Sequence, residues 1–476
     1  MTMRTFVTAT AIGAGLAGCT VGPDYREPAP IAATANAWIA PVSGAEVDAA
    51  WWTKFHDPLL TELVMSAIAG NKDLAEANAR LREARANRDA VRGRAAPQAG
   101  MSAAAAQNRL SENGQLPVGK VPGLGPDLSI YDIGFDAAWE IDLWGGTRRA
   151  IEGAEARGQS MEEMRRAAIL QIIAEVVRAY IDLRAAQSLQ ANAIADASAQ
   201  SDIARLVAER LRVGAASRFD LVRAQSQARS TAATIPGFES EAAAAAFRLA
   251  LLLGEPPESL YDRLRQPGPL PATGIEISAG LRSDLLRRRP DIRQAERDLA
   301  AATADIGVAT AELFPRISLL GGIGQQARTP GDLFSGSSLR FQFGPALRWP
   351  IFSGGRIRAQ VRAADARADA ALIRYERAVL VALADSETAI NRYASAQRAG
   401  AERDAAQAAA AEAVRLARLR YTAGEDDLTA LLQAQASFST ADRLRIQTAA
   451  VQLQYVASLY KALGGGWEEV EGSIRP

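Results

Sequence analysis

The sequence has few of the residues that build most catalytic and metal centres. One cysteine and one histidine occur among 476 residues, and aromatic residues make up 6%. These counts exclude a disulfide framework and a cysteine–histidine metal cluster, and they leave one histidine for any histidine-based catalysis. Basic and acidic residues number 54 each, so no nucleic-acid surface is indicated. We therefore expect a protein that is not an enzyme and holds no metal or cofactor.

A long apolar run is also missing. The first apolar stretch, Phe6 to Leu16, follows Arg4 and is shorter than the roughly 20 residues that span a bilayer. It leads to Leu16-Ala17-Gly18-Cys19, which resembles the bacterial lipobox. We predict that residues 1–18 are a signal peptide and that Cys19 carries a covalent lipid. Thr20 in place of aspartate favours the outer membrane, and residues 19–56 should form an extended segment.

The rest of the chain contains an internal duplication. Arg210–Gln225 matches Arg420–Gln435 at an offset of 210 residues, and Leu253-Gly254 matches Leu463-Gly464 at the same offset. Leu143–Arg148 matches Ile351–Arg356 at an offset of 208, and Pro97 corresponds to Pro315 at an offset of 218. Each copy is predicted to run helix, strand, strand, very long helix, returning helix. The predicted boundaries are 57–254 for repeat 1, 255–282 for a proline-rich extended linker, 283–464 for repeat 2, and 465–476 for a C-terminal tail.

Two segments alternate between apolar and polar side chains with the period of a β-strand. Their apolar residues occupy odd positions from Tyr131 to Leu143 and, with Pro345 as an interruption, from Leu339 to Ile351. Both have the length of a transmembrane strand, about 9–11 residues. A soluble β-sandwich is the alternative. The strands are predicted at about 97–107 and 129–143 in repeat 1, and at about 315–325 and 339–351 in repeat 2.

Four strands are too few to close a membrane barrel, because such barrels begin at about eight strands. Open strand edges in lipid would leave backbone groups without hydrogen bonds. If these strands cross a membrane, several copies of the chain must therefore assemble. The strand count alone permits two, three or more copies.

Two very long helices are predicted at about 147–211 and 356–421, because neither stretch contains proline. About 65 residues would rise about 100 Å. The abundant alanine suits helices that pack closely on both flanks, as in a closed helical barrel, and a coiled-coil scaffold is the alternative. Glycines between strand and helix should supply the bends. These are Gly145, Gly146, Gly354 and Gly355.

Together these features resemble the TolC/OprM family of outer-membrane efflux channels, and within it the NodT-like lipoprotein branch. The resemblance covers nearly the whole mature chain. It is carried by Cys19–Tyr25, Trp51-Trp52 with Phe55, Leu285–Arg293, Arg420–Gly424 and Leu431–Gln435.

The resemblance implies a mainly helical fold with a small membrane β-barrel contribution. The implied assembly is a homotrimer that forms a 12-stranded β-barrel continued by a periplasmic helical barrel. The implied partners are outer-membrane lipid, a periplasmic adaptor protein and an inner-membrane transporter of the RND type.

The resemblance also places the turns between the long and returning helices at the inner tip. The acidic cluster Glu425, Asp426 and Asp427 is then the candidate periplasmic gate, with Asp426 as its main residue, and helix capping is the alternative. A second motif resembles the family's adaptor-docking turn, although the same residues also suit ordinary turn chemistry. Its residues are Val213, Gly214, Ala215 and Ser217, with Ala423 and Gly424 as the divergent second copy.

We therefore expect a channel in the outer membrane of a Gram-negative bacterium that conducts passively, as the exit duct of a tripartite efflux system. Two alternatives stay open, a non-conducting structural lipoprotein of the envelope and the exit channel of a type I secretion system. The substrate is not indicated by any feature of the sequence.

Overall fold

The computed structural model describes residues 20–28, 38–39, 47–111, 125–280 and 282–474. Cys19, the predicted lipid-bearing residue, lies outside these ranges.

The described residues form mostly helices and one antiparallel sheet. Repeat 1 contains helices α1 (Pro58–Gly70) and α2 (Lys72–Gly93), strands β1 (Gln98–Arg109) and β2 (Asp127–Ile141), and helices α3 (Gly146–Arg212), α4 (Arg218–Ala232) and α5 (Ile235–Leu253). Helix α6 (Glu258–Leu264) follows. Repeat 2 contains helices α7 (Leu285–Arg288) and α8 (Pro290–Ala311), strands β3 (Arg316–Ala327) and β4 (Leu339–Arg348), and helices α9 (Arg356–Ala423) and α10 (Leu428–Leu463). Helix α11 (Trp467–Ile474) ends the described chain, and short 3-10 helices lie at Trp51–Phe55, Arg282–Asp284, Pro330–Asp332 and Gly336–Ser338.

This element order confirms the predicted fold class of two repeats with few strands and long helices. The returning helix differs between the repeats. In repeat 2 it is continuous as α10, whereas in repeat 1 it is broken between α4 and α5. Pro236 stands at the start of α5, and proline cannot donate the backbone hydrogen bond that a continuous helix would need there.

Two segments predicted to be extended contain helices, and so does the C-terminal tail. In the linker, Leu260 and Leu264 are four residues apart and both buried, which explains why α6 forms there. The N-terminal segment contains the 3-10 helix Trp51–Phe55, whose three aromatic side chains are buried. The tail forms α11 from Trp467 onward. In each case the burial of apolar side chains stabilises a helix where the local sequence did not predict one.

The strands pair in the order β1-β2-β3-β4. One row across the sheet joins Gly100, Asp136, Gly322 and Gln342. β2 and β3 belong to different repeats, yet they pair directly over 11 residues. The sheet therefore contains one junction between repeats as well as two hairpins.

The structure corrects one repeat offset. The Trp139 indole donates to Ala95 O at 2.9 Å, and the Trp349 indole makes the same contact with Leu313 O at 3.1 Å. These equivalent bonds align β2 with β4 at an offset of 210 and the residues before β1 with those before β3 at 218. The sequence match of Leu143–Arg148 with Ile351–Arg356 at an offset of 208 was therefore wrong by two residues. It aligned Arg148 with Arg356, whereas the left-handed glycine directly before each long helix is Gly145 in repeat 1 and Gly355 in repeat 2.

Contacts within the described chain divide it into two compact units. One comprises segments within residues 1–28, 81–160 and 295–375, and the other segments within 29–80, 161–294 and 376–476. The first unit contains the whole sheet. In the described residues, no helix is both long enough and apolar enough to cross a membrane.

The second unit holds the main apolar core. The ring of Trp51 stacks on that of Tyr460 with centroids 5.1 Å apart. One apolar seam of α3 is fully buried there. Its residues are Ile169, Ile173, Val176, Tyr180 and Leu183.

A polar contact anchors the start of α1 in this core. Asp57 caps the helix and accepts hydrogen bonds from the backbone N–H of Leu59 at 3.0 Å and of Leu60 at 3.2 Å. The Tyr180 hydroxyl donates to the other carboxylate oxygen of Asp57. Burial, reinforced by this hydrogen bond, raises the pKa of Tyr180 to about 12. The phenol therefore stays protonated at neutral pH and remains a donor to the cap.

Candidate functional site: the paired helical turns and the polar sheet face

The two turns predicted to form the inner tip share one backbone geometry. Gly214 has φ 78° and Gly424 has φ 80°, a left-handed conformation that glycine adopts without strain. Ala215 N–H donates to Arg210 O at 2.8 Å, and Glu425 N–H donates to Arg420 O at 3.0 Å. Each long helix therefore ends in a Schellman motif. The two repeats share the hydrogen bonds of this motif as well as its sequence pattern.

Arg210 joins the first turn to the second. Its Nη1 donates to Tyr421 O at 2.7 Å, and its guanidinium lies 4.6 Å from the centroid of the Tyr421 ring. Arg223 Nη1 adds a contact to Thr429 Oγ1 at 3.1 Å. Sequence reasoning did not identify this tie. Its one signal was that aromatic Tyr421 stands where repeat 1 has Leu211.

A small apolar cluster supports the turns from within the second unit. Its buried members come from all four helices that meet there, so both helix pairs are held by one cluster. They are Ile203, Val207, Ala224, Tyr421, Leu428, Leu431 and Leu432.

The three candidate gate residues lie on one turn but have different contacts. Glu425 is exposed, with its carboxylate 3.8 Å from Arg420 Nε. Asp426 is partly buried and forms an ion pair with Arg420, with its carboxylate 3.1 Å from the same Nε. Asp427 Oδ1 accepts from Ala430 N–H at 2.9 Å and caps α10. The capping alternative therefore describes Asp427, while Asp426 has no capping contact in the described chain.

The candidate docking residues are mostly on the surface. The Val213 side chain is 71% exposed, and Gly214 and Ala215 are exposed beside it. Ser217 caps α4 through a capping box with Asp220. Hydrogen bonds from the Ser217 hydroxyl and backbone N–H lower the pKa of Asp220. Ser217 therefore has a structural role whether or not it touches a partner.

Two further surface residues extend this docking candidate. Phe219 is 72% exposed and Val222 is 53% exposed, and both follow the first turn on α4. On the second turn, Ala423 and Gly424 are also exposed. Exposed apolar side chains close together often mark a protein contact. The sequence pattern missed Phe219 and Val222 because α4 also has a buried face.

The predicted bends lie where each long helix begins. Gly145 and Gly355 have φ 77° and 80° directly before α3 and α9, and Gly354 has φ 56°. Gly146 instead is the first residue of α3 and is not among the residues with positive φ. One left-handed residue is sufficient for this bend in repeat 1.

The segment after Cys19 is fastened beside the first bend. Val21 N–H donates to Trp144 O at 3.0 Å. The buried Arg149 side chain donates to Val21 O at 3.3 Å and pairs with Asp24 at 2.5 Å. Gly307 lies against this arrangement, since a Cβ there would be 2.6 Å from Arg149 Cγ. Residues 20–24 are thus held close to the end of β2.

The sheet has one polar face and one apolar face. On the polar face Asp132 accepts from Arg340 Nη2 at 2.6 Å, Arg340 Nε at 2.8 Å and Gln326 Nε2 at 3.0 Å. These contacts connect β2, β3 and β4. On the opposite face large apolar side chains are exposed. They include Phe135, Ile323, Phe341, Phe343 and Leu347.

A family model for outer membrane efflux proteins matches residues 63–255 and 281–465, the same two stretches as the structural repeats. The chain belongs to the outer membrane efflux protein family. It is 32% identical to Nodulation protein T of Rhizobium leguminosarum bv. trifolii over 459 residues, covering 96% of both chains. It is 32% identical to Outer membrane protein OprJ of Pseudomonas aeruginosa over 474 residues, covering 97% of this chain and 96% of OprJ.

A solved structure shares the fold. The outer-membrane channel OprN superposes with a TM-score of 0.86 at 37% identity, covering 94% of this chain and all of OprN. The predicted membership, the outer-membrane location and the efflux function are therefore confirmed. Outer membrane efflux proteins are transport proteins and not a family of enzymes.

The tie between the turns can be tested by removing Arg210. Arg210→Ala should loosen residues 421–428, because it deletes a charged hydrogen bond and the contact with the Tyr421 ring. The expected loss is about 1 kcal/mol, which corresponds to about fivefold faster amide exchange in these residues. Hydrogen–deuterium exchange of the purified protein measures this change. Arg212→Ala, at the exposed end of α3, is the matched control, and equal exchange in both variants would contradict the tie.

Proposed function

We propose that this chain is the outer-membrane exit duct of a tripartite efflux pump and works as a homotrimer with a periplasmic adaptor and an inner-membrane transporter of the RND type. The observation that supports a water-filled path is the two-faced sheet. An ion pair between Asp132 and Arg340 occupies one face, and large apolar side chains are exposed on the other. Lipid can solvate the apolar face, whereas the polar face requires water or protein.

The duct conducts passively and takes its energy from the inner-membrane partner. A passive duct needs walls, a constriction and a docking surface, and the second unit supplies candidates for the last two at its paired turns. Three copies around an axis would bring three copies of each turn together. The carboxylates of the second turn, held close together in this way, would attract cations and repel anions.

Within the acidic turn we assign the constriction to Asp426. Asp427 is engaged by α10 as its cap, and Glu425 is the more exposed of the two remaining side chains. Arg420 holds Asp426 from its own chain. A constriction of this kind therefore combines a carboxylate with a neighbouring guanidinium that limits its movement.

Planar-bilayer recording tests conduction and the constriction together. The wild-type protein should carry current with a preference for cations, and Asp426→Asn should lower that preference roughly twofold because it removes one charge per copy. Asp427→Ser is the control for charge elsewhere on the turn, since serine also caps helices. It should change the preference less than Asp426→Asn does.

Two outcomes of this recording would be decisive. If the reconstituted wild-type protein carried no current, the non-conducting lipoprotein would be the better description. If it conducted and Asp426→Asn left both conductance and ion preference unchanged, the constriction would lie elsewhere while the duct proposal stood.

We assign adaptor docking to the first turn and the exposed start of α4. Val213, Phe219 and Val222 present apolar surface there, and the glycine turn keeps backbone close to the surface. An apolar contact suits helical hairpins that extend the duct end to end. Ala423 and Gly424 offer a smaller version of the same surface on the second turn.

A charge at Val213 tests this assignment without altering the glycine conformation. In cells that depend on this channel, Val213→Asp should lower the inhibitory concentration of an exported compound about tenfold, the effect of losing about 1.4 kcal/mol of binding. Val213→Thr keeps the shape of the side chain and should have little effect. Immunoblots of outer membranes must show equal amounts of channel, because a loss of protein in Val213→Asp would indicate a structural role instead.

We also propose that Cys19 carries a covalent lipid. Two contacts beside the end of β2 support this proposal. Thr20 packs against Gly145 at the strand–helix bend, and Val21 N–H donates to Trp144 O. A lipid on the preceding residue would start close to the membrane edge of the sheet. Several acyl chains on one residue would bind strongly, because each buried CH₂ contributes about 0.8 kcal/mol.

Labelling with radioactive palmitate tests this proposal. The wild-type chain should incorporate label, and Cys19→Ser should incorporate none, because no other cysteine is present. Thr20→Ser, which keeps the cysteine, is the control and should be labelled like the wild type. An unlabelled wild-type chain, or a mature N-terminus other than Cys19, would contradict the proposal.

A further inference from the structure

The two outer strands of the sheet each have one unpaired edge. Among the residues that the structure describes, β1 pairs only with β2, and β4 pairs only with β3. In lipid, a free edge costs several kcal/mol for each unpaired backbone group. We infer that β4 pairs with β1 of a second copy of this chain in one definite register, with Ala346 opposite Ala104. This inference rests on the self-association proposed above and adds the residue-by-residue contact between copies.

The internal junction between the repeats supplies the template. β2 of repeat 1 pairs with β3 of repeat 2, and Asp136 lies opposite Gly322. The tryptophan contacts align β2 with β4 at an offset of 210 and the start of β1 with that of β3 at 218. The two hairpins agree independently with these offsets. In β1–β2 Gly100 lies opposite Asp136, and their equivalents at 318 and 346, Ser318 and Ala346, lie opposite each other in β3–β4.

Applying the offsets to the junction gives the contact between copies. Asp136 becomes Ala346, and Gly322 becomes Ala104 of the second copy. Continuing along the strands places Phe343 opposite Gln107 and Arg348 opposite Ser102. Odd residues then face odd residues, as they do at every pairing within the sheet. The apolar face therefore continues across the contact, which a shift by a single residue would prevent.

The sizes of the side chains fit the same register. At the junction Gly134 lies opposite Gly324, and a Cβ added to Gly324 would be 2.8 Å from Gly134 Cα. Gly134 is the one glycine of β2, and its equivalent Gly344 is the one glycine of β4. In the inferred register Gly344 lies opposite Ala106. A glycine thus again faces a small residue at the corresponding place.

The run of small residues in the partner strand also corresponds. Gly321, Gly322 and Gly324 of β3 are equivalent to Ala103, Ala104 and Ala106 of β1. The alanines of β1 are exposed in the single chain, along with the rest of that strand. Pro345 falls opposite Ala105 and has no backbone N–H, so the contact lacks at most one backbone donor there. The rest of the contact keeps its full set of donors.

Cysteine cross-linking of the full-length protein in outer membranes tests the register. One variant set carries Ala346→Cys together with a single cysteine at position 100, 102, 104, 106 or 108, all on the polar face. Disulfides need Cα atoms within about 7 Å, and two residues along a strand span about 7 Å. The yield of interchain disulfide after mild oxidation should therefore peak with Ala104→Cys and be near zero with Gly100→Cys and Asn108→Cys.

The repeat provides an internal control. Asp136→Cys with Gly322→Cys is the equivalent pair within one chain, and it should form an intrachain disulfide under the same conditions. A peak at a position other than 104 would overturn the register and leave the trimer standing. No interchain disulfide with any of the five partners, while the intrachain control forms, would instead contradict assembly through these edges and so the proposed trimer.

Discussion

The backbone N–H and C=O groups along a strand edge must find partners, and lipid offers none. In this protein the constraint applies to a sheet of four strands, because the duplicated chain contributes two hairpins. Within the chain, the junction of β2 with β3 meets the constraint by joining the repeats directly. At β1 and β4 the proposed second copy of the chain would continue the pattern. The sheet therefore connects the duplication to the proposed assembly.

The same duplication governs the other end of the long helices. Both repeats end their long helix with a left-handed glycine and the same pair of hydrogen bonds. The repeats differ in the charges beside that turn. The first turn has exposed apolar residues and a capping serine, whereas the second has three carboxylates and the Arg420 guanidinium. One backbone design thus supports two chemical surfaces, one suited to a protein contact and one to a constriction.

The strands and long helices could be predicted from the sequence because their signals extend over many residues. Alternation from Tyr131 onward and the absence of proline in the long helices persist over many residues, so burial and local preference agree. The linker helix α6 could not be predicted, since its two buried leucines form too short a pattern. The break in the returning helix of repeat 1 could have been predicted from Pro236. It was not predicted, because both repeats were expected to contain the same elements.

The site shows a different limit. Gly214 and Gly424 were identifiable because few residue types other than glycine adopt the left-handed conformation of such a turn. The tie between Arg210 and Tyr421 was not, because it depends on where two helix ends meet in space. The roles of Asp426 and Asp427 could be separated only from their contacts, an ion pair for Asp426 and a helix cap for Asp427. Adjacent identical residues give no such signal in a sequence.

The mass of the intact, detergent-extracted protein tests the central claim most directly. Native mass spectrometry, with the detergent removed in the gas phase, should give three times the mass of the mature chain at all protein concentrations tested. A monomer that is folded and stable would contradict the account. It would mean that the free edges of β1 and β4 need no second copy.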